Sequence, residues 1–240
     1  MVSPLSGRSA RQLADPDHVL LDPMKTLPII TQTSLGPSVE HPSVDLLREL
    51  LPELDKRLRQ AGVAADALRA GLRSEEISFK AAAAGLEPHP EVVAWFEWRN
   101  GASPERPDVV HALPQVRLAS LDEALARYAD TQEMLESWAD DPALREMHWG
   151  RDTGWLALVD DGAGLTVEAS APAERSPGIH NAHSMFTLEP DTGRAVSLCT
   201  YVTWLVEGLR AGAHDYSPAS GLWGSDMNKM PASQVRAQFY

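Results

Sequence analysis

The spacing of apolar side chains changes twice along this chain, and that change limits what it can fold into. In separate stretches between Ser43 and Leu135, leucines and aromatics recur every three or four positions; past Trp149 the interval falls towards two; from Leu198 the longer interval returns. A repeat near 3.6 suits a helix lying on a core, and a repeat of two suits a strand with one covered face. Helices first, a small antiparallel sheet next and a packed C-terminal helix last make an α+β domain rather than a βαβ repeat.

The helical part reads in four pieces. Leu47, Leu50, Leu51, Leu54 and Leu58 fall on one face behind Ser43, a suitable N-cap, with Pro52 expected to kink the helix or split it in two. A second helix is expected from Ser74, where Glu75 and Glu76 sit in the positive first turn, to the capping Gly85. Beyond Pro88 and Pro90, the run EVVAWFEWRNG sets Val92, Trp95 and Phe96 at i, i+3 and i+4 and stops at Asn100-Gly101. The sharpest start is Ser120-Leu121-Asp122-Glu123, a capping box in which serine and glutamate satisfy each other's backbone N–H groups.

Strands follow. GWLALVDD, a turn over Asp160 to Gly164, and then Leu165, Val167 and Ala169 alternating with Thr166, Glu168 and Ser170 read as a hairpin with one face in the core. A third strand is expected over Ser184 to Leu188. The last helix carries Leu198, Tyr201, Val202, Leu205 and Leu209 on one face, with Gly212 beyond its end. Residues 1–40 hold only short apolar patches such as Leu27 to Ile30 and read as a flexible arm; 41–216 read as the single domain, and 217–240 as a tail in which Trp223 and Tyr240 can dock.

Charge and cysteine usage narrow the function. Lys and Arg number 21 against 34 Asp and Glu, a formal charge of -13. Such an exterior repels phosphate backbones, so nucleic acid is a poor ligand; it keeps the protein in solution and favours a basic partner. One cysteine, Cys199, allows neither an internal disulfide nor a multi-thiolate zinc site and suits a reducing compartment. No run approaches the ~18 to 20 apolar residues of a membrane span, and the N-terminus lacks a secretory h-region. The cytoplasm is the expected location.

Chemical constellations are sparse. His180-x-x-His183 offers two imidazoles with no adjacent carboxylate or thiolate to complete a metal set. His148, between Met147 and Trp149, suits a partly buried polar role better than a general base. Asp160-Asp161-Gly162 is what a tight turn requires, and a catalytic carboxylate pair is the weaker reading. Cys199 lies among apolar helical neighbours and reads as an inert thiol. There is no nucleophile elbow, phosphate-binding Gly loop or dinucleotide fingerprint, and no cofactor is expected. Trp98, Trp138 and Trp223 suit either core packing or interface anchoring.

Four blocks in order resemble the SUKH superfamily: HPEVVAWFEWRNG; LPQVRLASLDEALARYADTQEML; GWLALVDDGAG with LTVEAS; and CTYVTWLVEGL. They cover residues 88–212. Glu168 stands where the family often has Asp in the second strand, and the Gly-rich stretch after it is reduced to Ser176 to His180. The resemblance implies a non-enzymatic module that binds another protein, as the family's immunity members cover a co-encoded toxin, often a nuclease. It also implies that Asp160, Asp161 and Glu168 are exposed acidic positions suited to partner contact. A regulatory or scaffolding protein of the same fold is the alternative; a hydrolase built on His148, His180 or Asp161 is the third reading.

Overall fold

A computed structural model describes residues 30–33, 36–109, 111–114, 116–137, 154–159, 165–181 and 196–230. Its elements run β1 (Ile30–Thr33), β2 (Gly36–Val39), α1 (Val44–Gln60), β3 (Leu68–Ala70), α2 (Ser74–Ala83), α3 (Pro90–Trp98), β4 (Arg99–Ala102), α4 (Leu121–Ser137), β5 (Trp155–Ala157), β6 (Leu165–Glu168), β7 (Gly178–Asn181), β8 (Val196–Ser197), α5 (Leu198–Arg210), β9 (His214–Ser217) and β10 (Leu222–Ser225). The fold is α+β, with every strand pairing antiparallel among the described residues.

The core forms where α1 lies on α5. Leu47, Leu50, Leu51, Leu54 and Leu58 are buried along one side of α1, and Ser43 caps it by accepting the Leu46 N–H at 3.2 Å. Of the two outcomes expected at Pro52, the split does not occur: Val44–Gln60 is continuous. Pro52 sits on the exposed side, where water can satisfy the carbonyl that its missing N–H leaves free, so the leucine face runs on unbroken. α5 is buried nearly all round, from Leu198 to Val206, and not only along the stripe that its spacing suggests. Glu53, buried in α1, accepts Arg57 Nε at 2.7 Å and Arg210 Nη2 at 3.3 Å, joining the two helices by charge.

The sheet runs in the order β5-β6-β7-β8, with Leu156 opposite Val167 and Val167 opposite Ile179, all three wholly buried. The expected hairpin of β5 and β6 is therefore present; its turn and the strand expected over Ser184 to Leu188 lie outside the described residues. The pair β3-β4 is stitched to the sheet through residues 118 and 119: the Ala102 N–H donates to Leu118 O and the Ala119 N–H to Leu158 O, each at 2.9 Å. Asn100-Gly101, expected only to stop α3, does more. Asn100 Oδ1 accepts the Leu121 N–H at 2.9 Å, and Gly101 lets backbone pass backbone at Ala119 and Ser120.

At Ser120 the capping box closes as expected. Its N–H and hydroxyl both donate to Glu123 Oε2 at 2.7 Å, and its Oγ accepts the Glu123 N–H at 3.2 Å. Against the cost of burial, these donors and the Arg117 guanidinium hold the Glu123 carboxyl down to about 2.

Both ends of the fold reach beyond the expected boundaries. Within the expected arm, Ile30–Thr33 pairs with Gly36–Val39, and the Val39 N–H donates to Thr200 Oγ1 at 2.9 Å at the start of α5. At the other end, β9 closes the expected domain and pairs as a hairpin with β10, which lies within the expected tail. Trp223 is buried there against Tyr216, with ring centres 5.1 Å apart, and its Nε1 donates to His111 O at 2.9 Å.

Two glycines test these close approaches. Gly101 has φ +85, and a Cβ there would meet Ser120 N at 2.5 Å, whereas Gly212 has φ +64 and nothing within 4 Å. Gly101→Ala should cost roughly 2–4 kcal/mol through strain and overpacking together. Gly212→Ala should cost about 1 kcal/mol through its left-handed backbone alone. Urea unfolding of the two variants measures the difference, and equal losses would contradict the assigned packing at Gly101.

Candidate functional site

Titratable side chains converge where the start of α3, the end of β6 with the loop after it, and the start of α5 meet. Pro90 opens α3 at its first turn, where a missing N–H costs nothing. His89 caps the helix by accepting the Glu91 N–H on Nδ1 at 3.1 Å, and its own N–H donates to Ala169 O at 2.6 Å. The helix start is thereby clamped to the end of β6. Glu91, 1% exposed, points into the core on the side that also carries Ala94 and Trp95.

The loop from Ala169 to Pro177 is fastened by two buried carboxylates. Ser176 Oγ donates to Glu91 Oε1 at 2.5 Å. Both terminal nitrogens of Arg175 donate to the two oxygens of Glu168, a forked charge-assisted pair, and the Gly178 N–H adds a contact at 3.4 Å. The Cys199 Sγ, from α5, lies 3.3 Å from Ser43 O and 4.0 Å from Glu91 Oε2.

Burial governs the electrostatics. It raises the Glu91 carboxyl above the usual glutamate range, opposed in part by the Ser176 hydroxyl. It lowers His89, helped by the Arg175 charge and opposed by Glu168, so the imidazole is neutral and Nδ1 is free to accept. Burial and then the Glu91 charge push the Cys199 thiol up to about 12. The arrangement holds a loop against the core and keeps its sulfur protonated; a thiolate nucleophile would need the opposite environment.

Glu168 is the residue whose expected place is corrected. Alternation along β6 puts it opposite Leu165 and Val167 and so in solvent, yet it is 5% exposed. The reason is tertiary: the loop that follows folds back over this face, and Arg175, seven residues on, supplies the counter-charge. Glu168 is thus an anchor of the interior and not a surface contact. Asp160 and Asp161 lie outside the described residues, as do His148, His183 and Trp138.

His180 is placed in β7 opposite Thr166, with its side chain outside the described residues. Cys199 is buried, as expected. Trp98 packs beside Trp95, with ring centres 5.3 Å apart. Among the described residues, no three His, Cys, Asp or Glu side chains gather to hold a metal ion, and no helix is long and apolar enough to cross a membrane. No site role for His89, Glu91, Arg175 or Ser176 was read from the sequence. The one available signal was a glutamate sharing a helix face with Ala94 and Trp95.

The chain matches no family model and no curated protein.

Two measurements probe this cluster. An acid raised by burial favours the folded state while protonated: its contribution is complete below the ordinary glutamate value of 4.5 and is lost as pH climbs through the folded value. Glu91→Gln, which keeps the shape, should therefore flatten the rise in stability seen as pH falls through that interval. At neutral pH it should be at least as stable as the wild type by urea titration; an unchanged pH profile would contradict the assignment. Alkylation of native Cys199 by iodoacetamide near neutral pH should run slower than that of an ordinary thiol by on the order of a thousandfold. Full labelling in urea is the control, and fast native labelling would overturn the burial.

Proposed function

We propose that this protein is a binding module of the SUKH kind, which neutralises a co-encoded toxin domain in the cytoplasm by covering it, without turnover of its own. The observation that carries this reading is where the described residues of this cluster keep their reactive groups. Cys199, Glu91, Glu168 and His89 are all buried, and each holds a protein partner in the cluster between α3, β6 and α5. Side chains used in this way brace the fold, which leaves the exterior to do the work. That exterior belongs to a chain with a formal charge of -13, and complementary potentials speed the encounter with a basic domain and select against acidic ones. A nuclease, which must itself attract phosphate, is the toxin class that fits best.

The test looks for a toxin domain encoded beside this gene, and its absence would reject neutralisation of a co-encoded toxin. Mixed with the full chain, that domain should form a stable complex on size exclusion and lose its activity. Glu91→Gln and Cys199→Ala, provided they fold, should protect within about threefold of the wild type, because buried substitutions remote from an interface leave affinity nearly unchanged. A variant that folds and binds but no longer protects would show that the buried cluster performs chemistry, and no complex at all would reject neutralisation.

A further inference from the structure

We infer that the docking surface is the outer face of α2 together with the exposed side of α4, and that its occupant is a basic protein surface offering an apolar pocket. The inference rests on the binding reading above but names a place that the reading leaves open.

Phe79 is 76% exposed, the most exposed large apolar side chain among the described residues. It cannot turn inward, because α2 already buries Ile77 and Ala81 on its opposite side against α3. Around it on the same face lie Glu75 at i-4, Ala82 at i+3 and Ala83 at i+4, all exposed. The alanines leave a smooth apolar floor from which the ring projects. An aromatic ring held proud on a short-side-chain platform is the shape of an anchor, and such residues carry most of the affinity at protein interfaces.

Beside this platform stands the acidic side of α4. Lys80, next to Phe79, reaches Asp122 Oδ1 at 2.7 Å and Oδ2 at 3.0 Å. Just past the C-terminal end of α2, Leu86 and the Tyr128 ring of α4 both approach Gly154, where a Cβ would meet Leu86 Cδ2 at 2.5 Å and Tyr128 Cε2 at 3.4 Å. The Lys80–Asp122 ion pair sets the two helices side by side in the free protein, and a face formed before binding lowers the ordering cost. Further along α4, Asp130, Glu133 and Glu136 are exposed within a third of the helix circumference, with Arg127 the exposed base of this helix. An anchor next to a helix that carries this charge fits a partner with lysines and arginines beside an apolar hollow. A second copy of the chain would set the same acids against each other.

The experiment places p-benzoylphenylalanine at position 79 of the full chain, crosslinks in the native host and identifies the attached protein and its crosslinked residue. That protein is then purified and titrated against wild type, Phe79→Ala, and the triple variant Asp130→Lys, Glu133→Lys, Glu136→Lys. The expected result is a contact surface rich in Lys and Arg, a loss of about 30-fold in affinity for Phe79→Ala, and a slower association rate for the triple variant with a weakened salt dependence. Thermal unfolding of the variants should match the wild type. A partner captured by the wild-type chain that binds both variants undiminished would reject this face while leaving the binding reading intact. A crosslink only to a second copy would reject the basic partner. No partner for the wild-type chain by crosslinking or by copurification would reject both.

Discussion

The apolar contact between α1 and α5 is what the rest of the structure hangs from. Five leucines of α1 are essentially sealed against it, and burying each contributes about 2 kcal/mol, so the row amounts to on the order of 10 kcal/mol, an upper figure for chains that are partly collapsed when unfolded. That equals the whole net stability of an ordinary domain. Each neighbouring element is positioned relative to this pair: α3 packs on α1, β2 is tied to α5 through Thr200, and β9 follows directly from the end of α5.

Against that apolar frame, the polar interior has a separate task. Hydrophobic contact is indifferent to register, whereas a buried carboxylate must be matched or it costs several kcal/mol. Glu53 matches α1 to α5, Glu91 matches α3 to the loop after β6, and Glu168 matches that loop to its own strand. Glu53 and Glu91 thereby fix how elements far apart in the chain sit on one another, and Glu168 fixes a loop against the strand it leaves. Packing alone would tolerate small slips at each of these junctions.

What was legible in the sequence depended on how local its cause was. The leucine face of α1, the Val92, Trp95, Phe96 face of α3, the capping box at Ser120 and the β5-β6 hairpin each follow from residues within a turn or two of one another, and each is present. The continuity of α1 through Pro52 was not legible, because it depends on which side of the helix faces water. Burial of Glu168 was hidden for a similar reason: strand alternation describes one element, and the loop carrying Arg175 that covers it is a second. The hairpins β1-β2 and β9-β10 lack long apolar runs, and they are held by partners 161 and 112 residues away, Val39 to Thr200 and Trp223 to His111.

The sealed position of Cys199 has a consequence for how such a protein can be deployed. As the only sulfhydryl in the chain, protonated and out of reach, it offers oxidants nothing to attack and a second molecule nothing to exchange with. The thiol chemistry of the folded chain therefore stands apart from the redox poise of its surroundings: with its one sulfur sealed, it needs no reductant to avoid a disulfide with a second molecule.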